Sequence, residues 1–192
     1  MRAGAVLAAG AAAAVTAAAV WGIAGPSGAQ AMPGPQELAG LTAEQAVATV
    51  NRWRQEGHPI RTWVTDRAVQ AQWPDGRTAR VKLPADRMYL AVAPYVRQTH
   101  PCAVHVPSGC QGELPDRWFE VTVRERQAGG AAGEVVFSGR LRSLSNGFVE
   151  LWLPRGREFV VGVRQGKLAG QAVVSTKEGA PTCITTVRLA RL

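Results

Sequence analysis

From Arg117 onward the chain alternates apolar and polar residues between closely spaced turns, and that pattern leaves room for little except antiparallel β structure. Phe119, Val121 and Val123 interleave with Glu120, Thr122 and Arg124, the period-two signature of a strand with one buried face. Further strands are predicted over Glu134 to Leu141, Phe148 to Leu153, Glu158 to Val163, Leu168 to Val174 and Cys183 to Leu189. Gly129-Gly130, Asn146-Gly147, Pro154-Arg155-Gly156, Gln165-Gly166 and Glu178-Gly179 separate them, and short strands at such spacing predict a sandwich. In the last strand Cys183, Val187 and Leu189 would share one face, directing Cys183 toward the core.

Upstream the pattern changes. Thr42 and Gln45 form a capping box, and Ala46, Val47, Val50 and Trp53 then recur at helical spacing until Gly57 supplies the stop. Arg61 to Asp66 reads as a strand. Ala68 to Trp73 and Thr78 to Leu83 flank the turn signal Pro74-Asp75-Gly76, and Met88 to Ala93 makes another short strand. The predicted fold class is α+β: a small helix-plus-antiparallel-sheet region over residues 32–95, then an all-β sandwich over residues 96–192.

The amino terminus sets the compartment. Met1-Arg2, an apolar run from Ala3 to Ala24 and the small-residue exit Ala29-Gln30-Ala31 form the pattern of a secretory leader. Residues 1–31 are expected to be a signal peptide cut before Met32. The apolar run approaches bilayer-spanning length, so a retained anchor is the alternative, and the membrane is a partner only in that case. The folded part is expected outside the cytoplasm. The 22 basic residues outnumber 14 acidic ones, but they are scattered and form no run. A nucleic-acid site needs a basic stripe with aromatic platforms, so no nucleic-acid partner is expected.

His100-Pro101-Cys102-Ala103-Val104-His105-Val106-Pro107-Ser108-Gly109-Cys110 holds two of the three cysteines and two of the three histidines. Thiolate and imidazole suit copper and zinc, and thiolate in particular selects Cu(I). The third cysteine lies far off, in Pro181-Thr182-Cys183-Ile184-Thr185-Thr186. A fold that returned Cys183 to the first two would make a three-thiol site. Outside the cytoplasm cysteines usually pair, so one structural disulfide with a buried third cysteine is the plainer reading. The neighbouring imidazoles weigh against it, because a disulfide has no need of them. The spacing His-x-Cys-x2-His-x4-Cys is not that of a structural zinc site. A catalytic Cys/His pair would want an Asn or Asp to orient the imidazole, and none is evident. His100 and His105 are candidate ligands on spacing alone, while Tyr95 and Trp152 are expected in the core or as walls of the site.

Several of these segments together resemble one family. Ala93-Pro94-Tyr95-Val96-Arg97-Gln98-Thr99-His100-Pro101-Cys102, the interval to Cys110 with His105 inside it, and Gln111-Gly112-Glu113-Leu114 are similar to the CueP family of exported bacterial copper-binding proteins. So are Asn146-Gly147-Phe148-Val149, Leu151-Trp152-Leu153-Pro154-Arg155 and the segment around Cys183. The resemblance implies copper binding in the cell envelope, most often the periplasm, as part of copper tolerance or delivery. It implies a metal site of Cys102, Cys110 and Cys183, with His100 or His105 assisting or receiving Cu(II) first. It also implies a dimerising amino-terminal region, and a copper-receiving enzyme is a further expected partner. The chain is expected to be a binding protein and not an enzyme. The rival is a thiol-based Cu(II) reductase or thiol-disulfide redox protein.

Overall fold

Helix α1 (Ala43–Gln55) forms where the capping box sets it. Gln45 N donates to Thr42 Oγ1 at 3.3 Å, and Thr42 N donates to Gln45 Oε1 at 2.9 Å. It ends as a Schellman turn, with Gly57 N on Arg54 O and His58 N on Trp53 O. The turn needs a positive φ at Gly57, which is 75°. The computed structural model describes residues 31–192, so the expected signal peptide, all but its last residue, lies outside the described residues.

The helix buries Ala46, Val47, Val50 and Trp53 beside a meander of β1 (Arg61–Val64), β2 (Ala68–Gln72) and β3 (Thr78–Lys82), paired antiparallel in that order. The turn predicted at Pro74-Asp75-Gly76 joins β2 to β3, with Gly76 at φ 87°. Trp73 meets Trp53 edge-on at 5.6 Å.

The next strand, β4 (Arg87–Val92), was expected to complete that first sheet, but it forms the centre of another. It runs antiparallel to β7 (Val149–Pro154) and parallel to β10 (Cys183–Ile184), giving the order β10-β4-β7. The reason lies in its composition. Met88 to Val92 is apolar without alternation and is buried throughout, which suits a strand covered on both faces. The third sheet holds β5 (Trp118–Arg126), β6 (Ala132–Arg142), β8 (Glu158–Gln165), β9 (Leu168–Ser175) and β11 (Ala190–Arg191), in the order β11-β9-β8-β5-β6.

Two apolar clusters bind these layers. Met88, Leu90, Val92, Leu151 and Leu153 of the middle sheet pack with Phe119, Val121, Val123, Phe159 and Val161 of the large sheet, and this is the predicted sandwich. Tyr89, Ala91 and Cys183, from the middle sheet's opposite face, join Val47, Val50 and Trp53 of α1 and Val64, Val69 and Ala71 of the meander. The metal-binding candidates lie on this second side.

One strand differs from expectation in a way that matters. The predicted strand from Cys183 to Leu189 breaks after Ile184; Arg188 makes an isolated bridge to Tyr95, and strand pairing resumes at Ala190. Cys183 therefore does not share a face with Val187 and Leu189. It belongs to the helix-side cluster, whereas they belong to the sandwich core. The break lets one end of the segment pair with β4 while the other passes to the edge of the large sheet.

Candidate metal centre

Each candidate ligand is held by a different piece of backbone. Cys183 sits in β10 opposite Ala91, fixed by Ala91 N on Thr182 O and Ala93 N on Ile184 O, both at 2.8 Å. Cys110 closes a tight turn in which its own amide donates to Val106 O at 2.7 Å. Within that turn Val106 N donates to Cys110 Sγ at 3.3 Å. Cys102 and His100 ride on an irregular arm between β4 and that turn, and Ala103 O is held there by Thr182 N at 2.9 Å.

These stretches converge. One ligand atom each from His100, Cys102, Cys110 and Cys183 lies within 4.8 Å of every other. Cys102 Sγ and Cys110 Sγ are 3.4 Å apart, and all three cysteines are free thiols. Cys110 and Cys183 are buried while Cys102 is partly exposed, so the group opens to solvent at Cys102.

His105 stands outside this foursome. Although it lies in a loop, its side chain is 0 % exposed. Its backbone explains why. Val64 N donates to His105 O at 2.8 Å, His105 N donates to Thr182 Oγ1 at 3.0 Å, and Thr182 Oγ1 donates to Val64 O at 2.5 Å. The loop is stitched against the edge of β1, and the ring turns inward onto Phe148 at 4.6 Å between centroids, with Tyr89 at 6.0 Å. Neither ring nitrogen has a partner in hydrogen-bonding geometry, although the imidazole is close enough to Cys110 to favour its thiolate. A buried imidazole with both nitrogens unsatisfied is costly.

The three thiols do not titrate alike. Cys110 is held far below the ordinary thiol range, at about 3, first by a hydrogen bond from the Cys183 thiol and then, against the opposing effect of burial, by His105, the Val106 amide and Cys102. Cys102 is pushed up to about 11, chiefly by burial. Cys183 is driven upward first by its bond to Cys110 and then by burial. The arrangement favours a thiolate at Cys110, stabilised by the two neighbouring thiols.

Some of the surroundings carry no sequence signal of their role. Tyr89 was unremarkable in an apolar run, yet its hydroxyl and Asn51 Nδ2 both donate to Glu150 Oε1 at 2.7 Å, tying α1 to the middle sheet beside the thiols. Trp152, expected as core or wall, meets Tyr89 edge-on at 5.4 Å. Tyr95 is half-buried, and its backbone bridges to Arg188. Gly112 and Gly147 cross so closely that a Cβ on Gly112 would lie 2.9 Å from Gly147 O, and Gly112 N donates to Asn146 O at 2.6 Å. That crossing seats Phe148 under His105.

With this geometry in hand, comparison with known proteins is specific. The family described as "Periplasmic copper-binding protein CueP" matches residues 45–188. Among solved structures, the one titled "Crystal Structure of S.CueP" is similar at 33% identity with a TM-score of 0.71, covering 81% of this chain and 92% of its own. No curated protein matches.

Proposed function

As this chain belongs to the CueP family of periplasmic copper-binding proteins, we propose that its copper is held by the thiols of Cys102, Cys110 and Cys183, with His100 as the nitrogen donor beside them. The observation that carries this reading is the convergence of four soft donor atoms within 4.8 Å from separate stretches of chain. Three sulfurs suit Cu(I) better than any harder ion, so Cu(I) is the form retained. Cys110 offers a thiolate in advance, and the partly exposed Cys102 is the way in. His105, buried at the inner wall, assists capture of Cu(II), neither of its ring nitrogens having a hydrogen-bond partner. The chain in this reading stores copper and does not turn it over.

The family is periplasmic, and among the described residues no helix is long and apolar enough to cross a membrane. A homodimer through residues 32–95 and transfer to a copper-receiving enzyme complete the proposal. Sedimentation tests the first, and metal transfer to an apo acceptor tests the second.

The decisive experiment is anaerobic titration of the reduced protein with Cu(I) against a competing chelator. The triple Cys→Ser variant should lose tight binding, and unchanged affinity would refute the assignment. A second reading, thiol-based reduction of Cu(II), draws on the 3.4 Å contact of Cys102 and Cys110. Cys102 as a thiol and Cys110 as a thiolate would give two electrons and one proton, joining as one disulfide while two Cu(II) become two Cu(I). Copper reduced without disulfide formation would exclude it.

A further inference from the structure

We propose that Glu113 is a positioning residue of the metal centre: its carboxylate latches the arm bearing His100 and Cys102 onto the segment that follows Cys110. The proposal rests on the three-thiol reading above and concerns how two of the ligands are brought to the other two.

The ligands are supported unequally. Cys183 is held by strand pairing, and Cys110 by its turn and by the Gly112 to Asn146 hydrogen bond just beyond it. The arm from Val96 to Val104 has neither helix nor strand to hold it. Tyr95, just before it, is bridged to the last segment, with Leu189 N on Tyr95 O at 2.7 Å, and past that point the first three residues of the arm are fixed by one carboxylate oxygen. Glu113 Oε2 accepts from Val96 N at 2.7 Å, Arg97 N at 2.9 Å and Gln98 N at 3.3 Å. Three consecutive amides converging on an anion form a nest, and each bond is charge-assisted. The Glu113 side chain is only 14% exposed, so water competes poorly for it. Burial alone would raise its pKa, but the three amides outweigh that and keep it below the ordinary carboxylate value.

Further along, Thr99 Oγ1 donates to Thr185 O at 3.1 Å, and Ala103 O is bound beyond Cys102. Glu113 thus closes the near end of a short span whose middle carries both His100 and Cys102. It sits three residues after Cys110, so one side chain joins the two limbs of the ligand-bearing segment. The Arg97 guanidinium contributes little: its Nε is 3.7 Å from Glu113 Oε1 and its side chain is 90% exposed. The latch is amide to carboxylate, not charge to charge.

The test compares Glu113→Ala, Glu113→Gln and Arg97→Ala in the full chain, with two kinds of readout. In reduced, metal-free protein, amide exchange at Val96 to Gln98 and the alkylation rates of Cys102 and Cys183 are measured. In loaded protein, Cu(I) affinity is measured by chelator competition and the sulfur count by X-ray absorption. Glu113→Ala should lose the amide protection and speed alkylation of Cys102 while leaving Cys183 unchanged. It should also weaken Cu(I) binding by about 10-fold to 100-fold, as loss of an outer-shell support does, with the sulfur count falling from three toward two. Glu113→Gln keeps an acceptor oxygen without the charge and should fall between. It carries the test alone if the alanine variant is too unstable to purify. Arg97→Ala should match the parent. Parental Cys102 alkylation and parental affinity in both Glu113 variants would overturn the proposal. A parent that binds Cu(I) with fewer than three sulfurs would overturn the three-thiol reading instead, and the metal-free alkylation would still decide whether Glu113 holds the arm.

Discussion

Loading the reduced protein with Cu(I) near neutral pH should release two protons per chain and not three. The perturbation is metal addition, and the magnitude follows from the unequal thiols. Cys110, at about 3, is already a thiolate, while Cys102, at about 11, is a thiol, and Cys183, displaced upward by its bond to Cys110, is a thiol as well. A metal that takes three thiolates must therefore expel the protons of Cys102 and Cys183 alone. Calorimetry in buffers of different ionisation enthalpy counts them directly. The unequal thiols also set the behaviour without metal. An ordinary thiol, with pKa about 8.5, loses its thiolate as pH falls through that value, whereas the ultraviolet thiolate absorbance here should persist at one equivalent well into acid. The sign for stability follows. A depressed pKa at Cys110 stabilises the fold fully above the ordinary thiol value, and that contribution declines as pH falls toward the folded value. The raised pKa values of Cys102 and Cys183 act oppositely, costing stability as pH rises past the ordinary value. Cys183→Ala removes the largest support and should raise the Cys110 pKa, so its absorbance should fade at higher pH than in the parent. Release of three protons, or no thiolate signal below neutral pH, would refute the reasoning.

Three further outcomes are expected. His105→Ala should weaken Cu(II) capture at pH 7 while sparing most Cu(I) binding, because the ring stands outside the group of four donors; equal Cu(II) affinity in equilibrium dialysis would make it a bystander. Thr182→Val should cost about 1–3 kcal/mol in chemical denaturation, since Val64 O and His105 N lose one shared buried partner, and Thr182→Ser should restore most of it. Gly112→Ala should destabilise the protein and weaken metal binding together, because its Cβ meets backbone at 2.9 Å and the adjustment passes two residues along to Cys110; unchanged melting temperature and affinity would show that the crossing relaxes freely.

The sequence by itself determined the local elements. The capping box placed α1, the alternation of Phe119, Val121 and Val123 placed β5, and Asn146-Gly147 and Glu178-Gly179 marked real turns. These are local properties, since periodicity and turn chemistry act over a few residues. The set of soft ligands was legible for the same reason, being a matter of which residue types are present. Tertiary structure alone decided how they are used. The unalternated apolar run of Met88 to Val92 marks a strand covered on both faces but does not name β7 and β10 as its partners, and nothing near Cys183 says that its strand stops after Ile184. Both follow from pairing partners remote along the chain, and it is the parallel match of Cys183 to Ala91 that returns the third thiol to the site. His105 is the clearest instance. Spacing alone made it a candidate ligand on the same footing as His100, but its carbonyl meets the β1 edge and its amide meets Thr182, and the ring turns inward. Backbone groups must find hydrogen-bond partners wherever water is excluded, and which partners are available is a property of the assembled fold.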